Sequence, residues 1–199
     1  MNTINEKYEA IHFGPIVVKT NIGKEKLKEV RKIISKKGKP HNKNLAGIIK
    51  HEYLIDIQKF VKLVAPSYEP FVNAVKGWTG QNLKRKLNFN DAWVNYMVAG
   101  EFNPPHVHNN CNISSVLFVQ VPDGIKKENE EVKKRGITSS GPGTLVFLYG
   151  ELGFFNIVER TYLPEEGDLF VFPASLKHYV SPFTCKGERI SVAANAFLE

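Results

Sequence analysis

From about residue 92 onward the chain is a succession of short runs rich in β-branched and aromatic residues. They are Ala92–Ala99, Ser114–Val121, Thr144–Tyr149, Phe154–Glu159, Leu169–Phe172 and Ile190–Phe197. Gly, Pro and Asp punctuate them, as turn residues punctuate strands. So many short strands in roughly a hundred residues restrict this half to a sandwich, a barrel or a jelly roll. The first ninety residues have another texture. A strand is expected over Ile11–Thr20, interrupted at Gly14-Pro15, and a helix over Lys24–Lys36, capped by Thr20 or Asn21. Leu54, Ile57, Phe60, Val61 and Val64 follow helical spacing, and Pro70–Trp78 predicts a further helix closed by Gly77 or Gly80. The expected fold class is therefore α+β. One domain spans 1–199, with a mainly helical support region at 1–90 and a strand-rich core at 91–199.

One stretch breaks the rhythm of the strands. Pro122–Gly143 is dense in Lys, Glu and Arg and predicts an insertion loop, either a mobile lid or an inert surface excursion. Composition excludes several classes. Apolar residues at 42% and charged residues at 24% are those of a soluble globular protein. No apolar run is long enough to cross a bilayer, and the N-terminus lacks the apolar stretch of a secretion signal, so a cytoplasmic location is expected. Cys111 and Cys185 are too few for a disulfide scaffold. Residues 1–62 hold fourteen Lys/Arg against six Asp/Glu. With no aromatic side chains interleaved from Lys24 to Lys43, that excess reads as solvated helix surface rather than a nucleic-acid interface.

Four features of the strand-rich half carry chemistry. His106-Val107-His108 follows Pro104-Pro105, and residues two apart on a strand project to one face, so both imidazoles can converge on a metal. Two solvated loop histidines are the competing reading. His178 ends the segment Gly167–His178, in which a Gly-Asp turn starts a buried strand and a proline ends it. Arg189 opens an apolar strand, where a guanidinium is costly unless paired. A bound organic acid fits its fork, with Ser191 on the same face adding a hydroxyl, whereas Asp91 or Glu101 would make it an ordinary salt bridge. Tyr96 could bond the same acid or simply be core.

The order Tyr…Gly…His-x-His…Gly-Asp-Leu…Pro…His…Arg-x-Ser resembles the iron(II)- and 2-oxoglutarate-dependent oxygenases. Within them it is most similar to the prolyl-hydroxylase-like group and to oxygenases of marine bacteria and their phages. The resemblance covers about Ala92–Phe197. It implies a double-stranded β-helix (jelly roll) with helices from the N-terminal half packed on one side. It also implies Fe(II), 2-oxoglutarate as cosubstrate, and O2. The metal histidines fall on His106 and His178, the 2-oxoglutarate arginine on Arg189, and a cosubstrate-bonding tyrosine on Tyr96. His108 stands where most of the family has Asp or Glu, so the resemblance implies either a three-histidine centre or a two-histidine one completed by water or a neighbour such as Asn110 or Asn112. The implied activity is hydroxylation of a substrate C–H coupled to decarboxylation of 2-oxoglutarate to succinate. The substrate is expected to be a prolyl residue in a peptide or protein, with a small molecule as the other option. Pocket walls are expected from Val94, Leu117, Val119, Val146, Leu148 and Phe170. Two other classes remain open: a cupin-like metal-binding protein or cosubstrate-independent dioxygenase, and a non-enzymatic structural jelly roll.

Overall fold

The structure is a computed structural model and describes residues 14–199 except Asn82 and Arg85. Three helices precede the strand-rich half. Helix α1 (Lys24–Ile33) starts after a turn in which Asn21 Oδ1 accepts the Gly23 N–H at 3.0 Å. Asp56 caps α2 (Ile57–Val64) by accepting the Lys59 N–H at 3.1 Å, satisfying an amide that has no partner within the helix. A short 3-10 turn, Ala65–Tyr68, leads into α3 (Glu69–Thr79). That helix ends on Gly80 at φ 68°, a left-handed conformation that glycine adopts without strain.

All strand pairings among the described residues are antiparallel, and they form two sheets. The larger runs in the order β1 (Val18–Asn21), β8 (Asp168–Pro173), β5 (Ile113–Gln120), β10 (Arg189–Leu198), β3 (Leu87–Met97), β2 (His51–Leu54). The smaller runs β4 (Asn103–His106), β9 (Lys177–Val180), β6 (Leu145–Leu148), β7 (Glu159–Tyr162). Pro104 and Pro105 cannot donate to a ladder, and they sit on β4, an edge strand. The N-terminal region is thus not purely helical, since β1 and β2 supply both edges of the larger sheet. Of the strand expected over Ile11–Thr20, residues 11–13 lie outside the described residues, and the strand itself is Val18–Asn21.

Each central strand of the larger sheet divides its side chains between two cores. On one face Val94, Tyr96, Leu117, Val119, Leu169, Val171, Val192 and Ala194 pack under Leu27 and Val30 of α1, Phe60 and Val64 of α2, and Phe71 and Val72 of α3. On the other, Met97, Phe118, Phe170 and Phe172 meet Leu145, Phe147 and Val180 of the smaller sheet. Rings of Phe147 and Phe172 lie 4.9 Å apart, edge to face. Because both faces are buried, apolar pattern alone does not reveal which residues face inward. This corrects the expected pocket walls: Val94, Leu117 and Val119 lie on the helix side, and Phe118, Phe147, Phe170 and Phe172 form the interior between the sheets.

Two further expectations fail. Residues 122–143 are not a loop, because α4 (Asp123–Lys134) occupies most of them. Its charges lie outward while Ile125 is fully buried, and Asn129 ties the helix down by donating to the carbonyls of Ile125 and Pro142, each at 2.8 Å. A charge-dense segment that buries one face is an amphipathic helix. Nor is Phe154–Glu159 a strand: β7 begins only at Glu159, and Phe154 and Phe155 are wholly exposed. With no neighbouring strand to pair them, aromatic content does not make that segment extended.

Candidate metal centre

The two sheets bring three histidines together at one end of their shared interior. His106, the last residue of β4, stands directly across the ladder from His178 on β9. His108 lies beyond the strand, where its N–H bonds the Ala174 carbonyl at 2.9 Å and so continues the pairing toward the β8–β9 turn. The ligand atoms of the three rings all lie within 4.8 Å of one another, and the His108 and His178 Nε2 atoms are 3.3 Å apart. Asn110 is exposed, in a left-handed conformation at φ 58°. Asn112 is engaged with the Leu198 backbone through both ends of its amide.

Backbone carbonyls orient two of the rings. His106 Nδ1 donates to Pro104 O at 2.7 Å and His178 Nδ1 to Leu176 O at 2.9 Å. A carbonyl only accepts, so both Nδ1 atoms carry the proton and both Nε2 atoms present lone pairs. Burial lowers the pKa of all three, taking His108 to about 4 and His178 to about 3, with the neighbouring imidazoles adding to the effect for those two. Neutral imidazoles are the form a metal needs. Phe172, with its ring 4.7 Å from that of His178, and Trp93, 5.9 Å from His108, wall the cluster with apolar surface.

Further along the same interior sits Arg189, 2% exposed. Its guanidinium lies 5.1 Å over the Phe118 ring and donates once, to Gly143 O at 3.1 Å. Its Nε has no partner, and no carboxylate among the described residues makes an ion pair with it. Burial pulls its pKa down to about 9, the mark of a cation lacking a counterion. The two acids that could have neutralised it do not. Glu101 accepts the N–H groups of Lys50 and Val98, and Asp91 lies across from Asn195, near the middle of β3, whereas Arg189 pairs with Met97 at the strand's end. Ile125 of α4 packs against Gly143 so closely that an added Cβ would meet it at 2.9 Å. The helix therefore backs the turn whose carbonyl holds the arginine.

A family model described as "Putative 2OG-Fe(II) oxygenase" matches residues 91–195, over half of the chain and the part that carries every one of these groups. The chain belongs to this family. Its oxygenases use iron(II), 2-oxoglutarate and dioxygen. The fold is similar to that of a Pseudomonas putida prolyl-4-hydroxylase, at 16% identity and TM-score 0.56, over 90% of this chain and 91% of that one. It is also similar to a Trichoplax adhaerens prolyl hydroxylase solved with a hypoxia-inducible-factor peptide fragment (13% identity, TM-score 0.58, 91% and 83% covered). HygX of Streptomyces hygroscopicus, solved with nickel and 2-oxoglutarate, gives 9% identity and TM-score 0.55, over 92% and 82%. At such identities the likeness is one of fold. No curated protein matches the chain.

Tyr96 does not share a face with Arg189. Tyr96 pairs across the ladder with Ile190, not Arg189, and so projects to the helix side, where its ring packs edge-on to Tyr53 at 6.2 Å. A shift of one residue along a strand reverses the face. Its neighbour Asn95 takes the inward place, directly opposite Ser191, and donates to that hydroxyl at 3.5 Å. Asn95 Oδ1 and Asn103 Oδ1 are both buried without partners. Of these and Arg189 Nε, only the last is a donor and fits an acidic guest; the two amide oxygens are acceptors and call for a donor instead, because buried polar groups otherwise find partners. Asn195, also missed, was legible in the alternation Arg189-x-Ser191-x-Ala193-x-Asn195, whose members share one face. No described helix is long and apolar enough to cross a membrane.

Proposed function

We propose that the chain is an Fe(II)- and 2-oxoglutarate-dependent dioxygenase that hydroxylates a substrate C–H, with a prolyl residue of a peptide or protein as the substrate. The observation that carries it is the pairing, within one interior, of three convergent neutral imidazoles with a buried arginine that has no anion of its own. On this reading His106, His108 and His178 hold the iron through Nε2, and Arg189 receives the far carboxylate of 2-oxoglutarate. Ser191 adds a hydroxyl donor beside it. The domain is a single double-stranded β-helix spanning 1–199, with the N-terminal helices as its buttress.

Bound iron supplies the redox chemistry that couples cleavage of 2-oxoglutarate by dioxygen to substrate hydroxylation. The chain's own residues bind, orient and exclude water. The Arg189 fork engages both oxygens of a carboxylate, which fixes direction as well as affinity. Phe118 beneath it and Gly143 O beside it hold the guanidinium plane in place. Phe147, Phe172 and Trp93 keep the imidazole cluster dry, which strengthens every charge interaction within it. A metal-binding module without cosubstrate would have no use for an uncompensated buried arginine, and this favours the oxygenase over the cupin-like alternative.

Two observations support a chain-like substrate. Two of the similar folds are prolyl hydroxylases, one of them solved with a peptide fragment. The β6–β7 connection also exposes Tyr149, Leu152, Phe154, Phe155 and Ile157, and it borders a groove of about 380 Å³ shared with Leu176 and Lys177, the two residues before His178. Apolar surface of that extent beside a site suits a peptide better than a small polar metabolite. The test is a proline-containing peptide library incubated with protein, Fe(II), 2-oxoglutarate and air, and read by mass spectrometry. A gain of one oxygen atom on proline, absent when 2-oxoglutarate is withheld, is expected. Succinate formation that only non-peptide substrates stimulate would overturn the prolyl assignment.

A further inference from the structure

A buried pair of carboxylates lies apart from the metal centre and has no role in the chemistry described above. Glu52 on β2 and Glu101, in the turn between β3 and β4, are 1% and 7% exposed. The charge of Glu101 acts on Glu52, and neither acid has an ion pair among the described residues. Glu52 stands across the ladder from Asn95, on the inward face of the larger sheet. Its other neighbours bring no cation. Asn42 is neutral, the His41 ring lies against Trp93, and the exposed Lys43 and Lys50 make no ion pair. His51 and Tyr53 stack on each other on the opposite face of β2.

The hydrogen bonds distinguish the two acids. Glu101 accepts two backbone N–H groups, that of Lys50 on Oε1 and that of Val98 on Oε2, each at 3.0 Å, and is thereby solvated as an anion. Glu52 receives one side-chain N–H, from Asn42 Nδ2 at 3.3 Å, and the same nitrogen gives its shorter bond, 2.7 Å, to Ile49 O. An ionised carboxylate offers about four acceptor sites, so Glu52 in this setting is satisfied only when neutral. Burial, with the charge of Glu101 adding to it, raises its pKa to about 7 accordingly.

Residues 42–50 are tied down through these same acids. The segment opens with a 3-10 turn, Asn42–Asn44, and is fastened by Asn42 on Glu52, by the Lys50 N–H on Glu101, and by the Ile48 N–H on Phe102 O at 2.9 Å. Gly47 lies close over Glu52, where an added Cβ would meet Oε1 at 3.4 Å. Ile49 turns inward, into the cluster that holds Met97, the ladder partner of Arg189, and Phe118, the ring beneath its guanidinium. A groove of about 480 Å³ already parts the segment from the turn at 98–101. We propose that residues 42–50 form a strap over the arginine end of the interior, held shut by neutral Glu52 and lifted when Glu52 loses its proton and is repelled by Glu101. Lifting hydrates both carboxylates and withdraws Ile49 from the cluster, so water and an acidic guest gain a way to Arg189. That the guest is 2-oxoglutarate rests on the reading above; the strap itself does not.

Closure is firmest below about pH 4.5, where Glu52 keeps its proton whether the strap is shut or lifted, and weakens as pH rises to about 7. Above that both forms are ionised and the balance is level. The test is amide hydrogen exchange on full-length protein without cosubstrate, wild type against Glu52→Gln, which keeps the shape and an acceptor for Asn42. At each pH the ratio of the two rates removes the intrinsic pH dependence of exchange. For residues 42–50 that ratio should rise about fiftyfold between pH 5 and pH 7.5. Exchange there should also be faster than in β10 of the same molecule, because the strap lifts without unfolding the sheets. The Arg189 Nε–H, followed by nitrogen-15 NMR, should show the same rise. A ratio for 42–50 that is flat with pH, or exchange there as slow as in β10, would overturn the proposal. So would a flat ratio at Arg189 Nε–H beside a rising one at 42–50. With no cosubstrate present, these rates hold or fail independently of the oxygenase reading.

Discussion

Replacing Glu52 by glutamine should make the protein more stable at neutral pH and leave it nearly unchanged near pH 4. Glu52 lies on β2, 1% exposed, and its carboxyl has one side-chain partner, Asn42 Nδ2 at 3.3 Å. Burial raises its pKa from the usual 4.5 to about 7. The charge of Glu101 pushes the same way, and the Asn42 hydrogen bond opposes both. The native state therefore binds a proton more tightly than the unfolded chain does. Between about pH 4.5 and pH 7 the unfolded state releases its proton first, so stability falls as pH rises through that window and is flat above it. At about 1.4 kcal/mol for each pH unit, the span from 4.5 to about 7 amounts to about 3 kcal/mol. Glutamine keeps the shape and an acceptor without the charge. Urea unfolding of metal-free wild type and Glu52→Gln across pH 4 to 8 measures the difference, in which titrating groups remote from Glu52 cancel, the coupled Glu101 being the exception. That difference should grow from near zero to about 3 kcal/mol in favour of the variant. A difference that stays constant with pH would refute the reasoning.

Arg189→Met should keep the fold and lose 2-oxoglutarate affinity by roughly thirty- to several-thousand-fold, the effect of about 2–5 kcal/mol for cutting one partner from a buried ion pair. Calorimetry without oxygen reads it, and unchanged affinity would remove Arg189 from the site. Tyr96→Phe should leave that affinity unaltered, since the side chain lies on the helix side of β3; a tenfold loss in the same titration would return Tyr96 to the site. Phe147→Ala should destabilise by about 3–5 kcal/mol, as it empties the contact with Phe172 and His178, and thermal unfolding measures it.

The convergent histidines and the buried arginine stand out in the sequence because they violate their surroundings. Histidines beside a double proline, a histidine closing an apolar strand, and an arginine opening another are expensive placements that call for a partner. What could not be read was the side of the sheet. Strand β3 is buried on both faces over Ala92–Met97, so alternation does not distinguish Asn95 from Tyr96, and the resemblance pointed to Tyr96, which packs on the helix side. The same ambiguity misplaced Val94, Leu117 and Val119. Helix α4 escaped notice because its charge density hides the one face, centred on Ile125, that packs behind Gly143. His108 converges on the site even though it lies past the end of β4. Its direction comes from a long-range hydrogen bond to Ala174, which local spacing does not encode.

The most direct test of the account is titration of 2-oxoglutarate, followed by calorimetry without oxygen, into protein loaded with Fe(II). The account predicts saturable binding of one 2-oxoglutarate per chain, abolished in His106→Ala and His178→Ala and sharply weakened in Arg189→Met. Fe(II)-loaded wild-type protein that takes up no 2-oxoglutarate would contradict it.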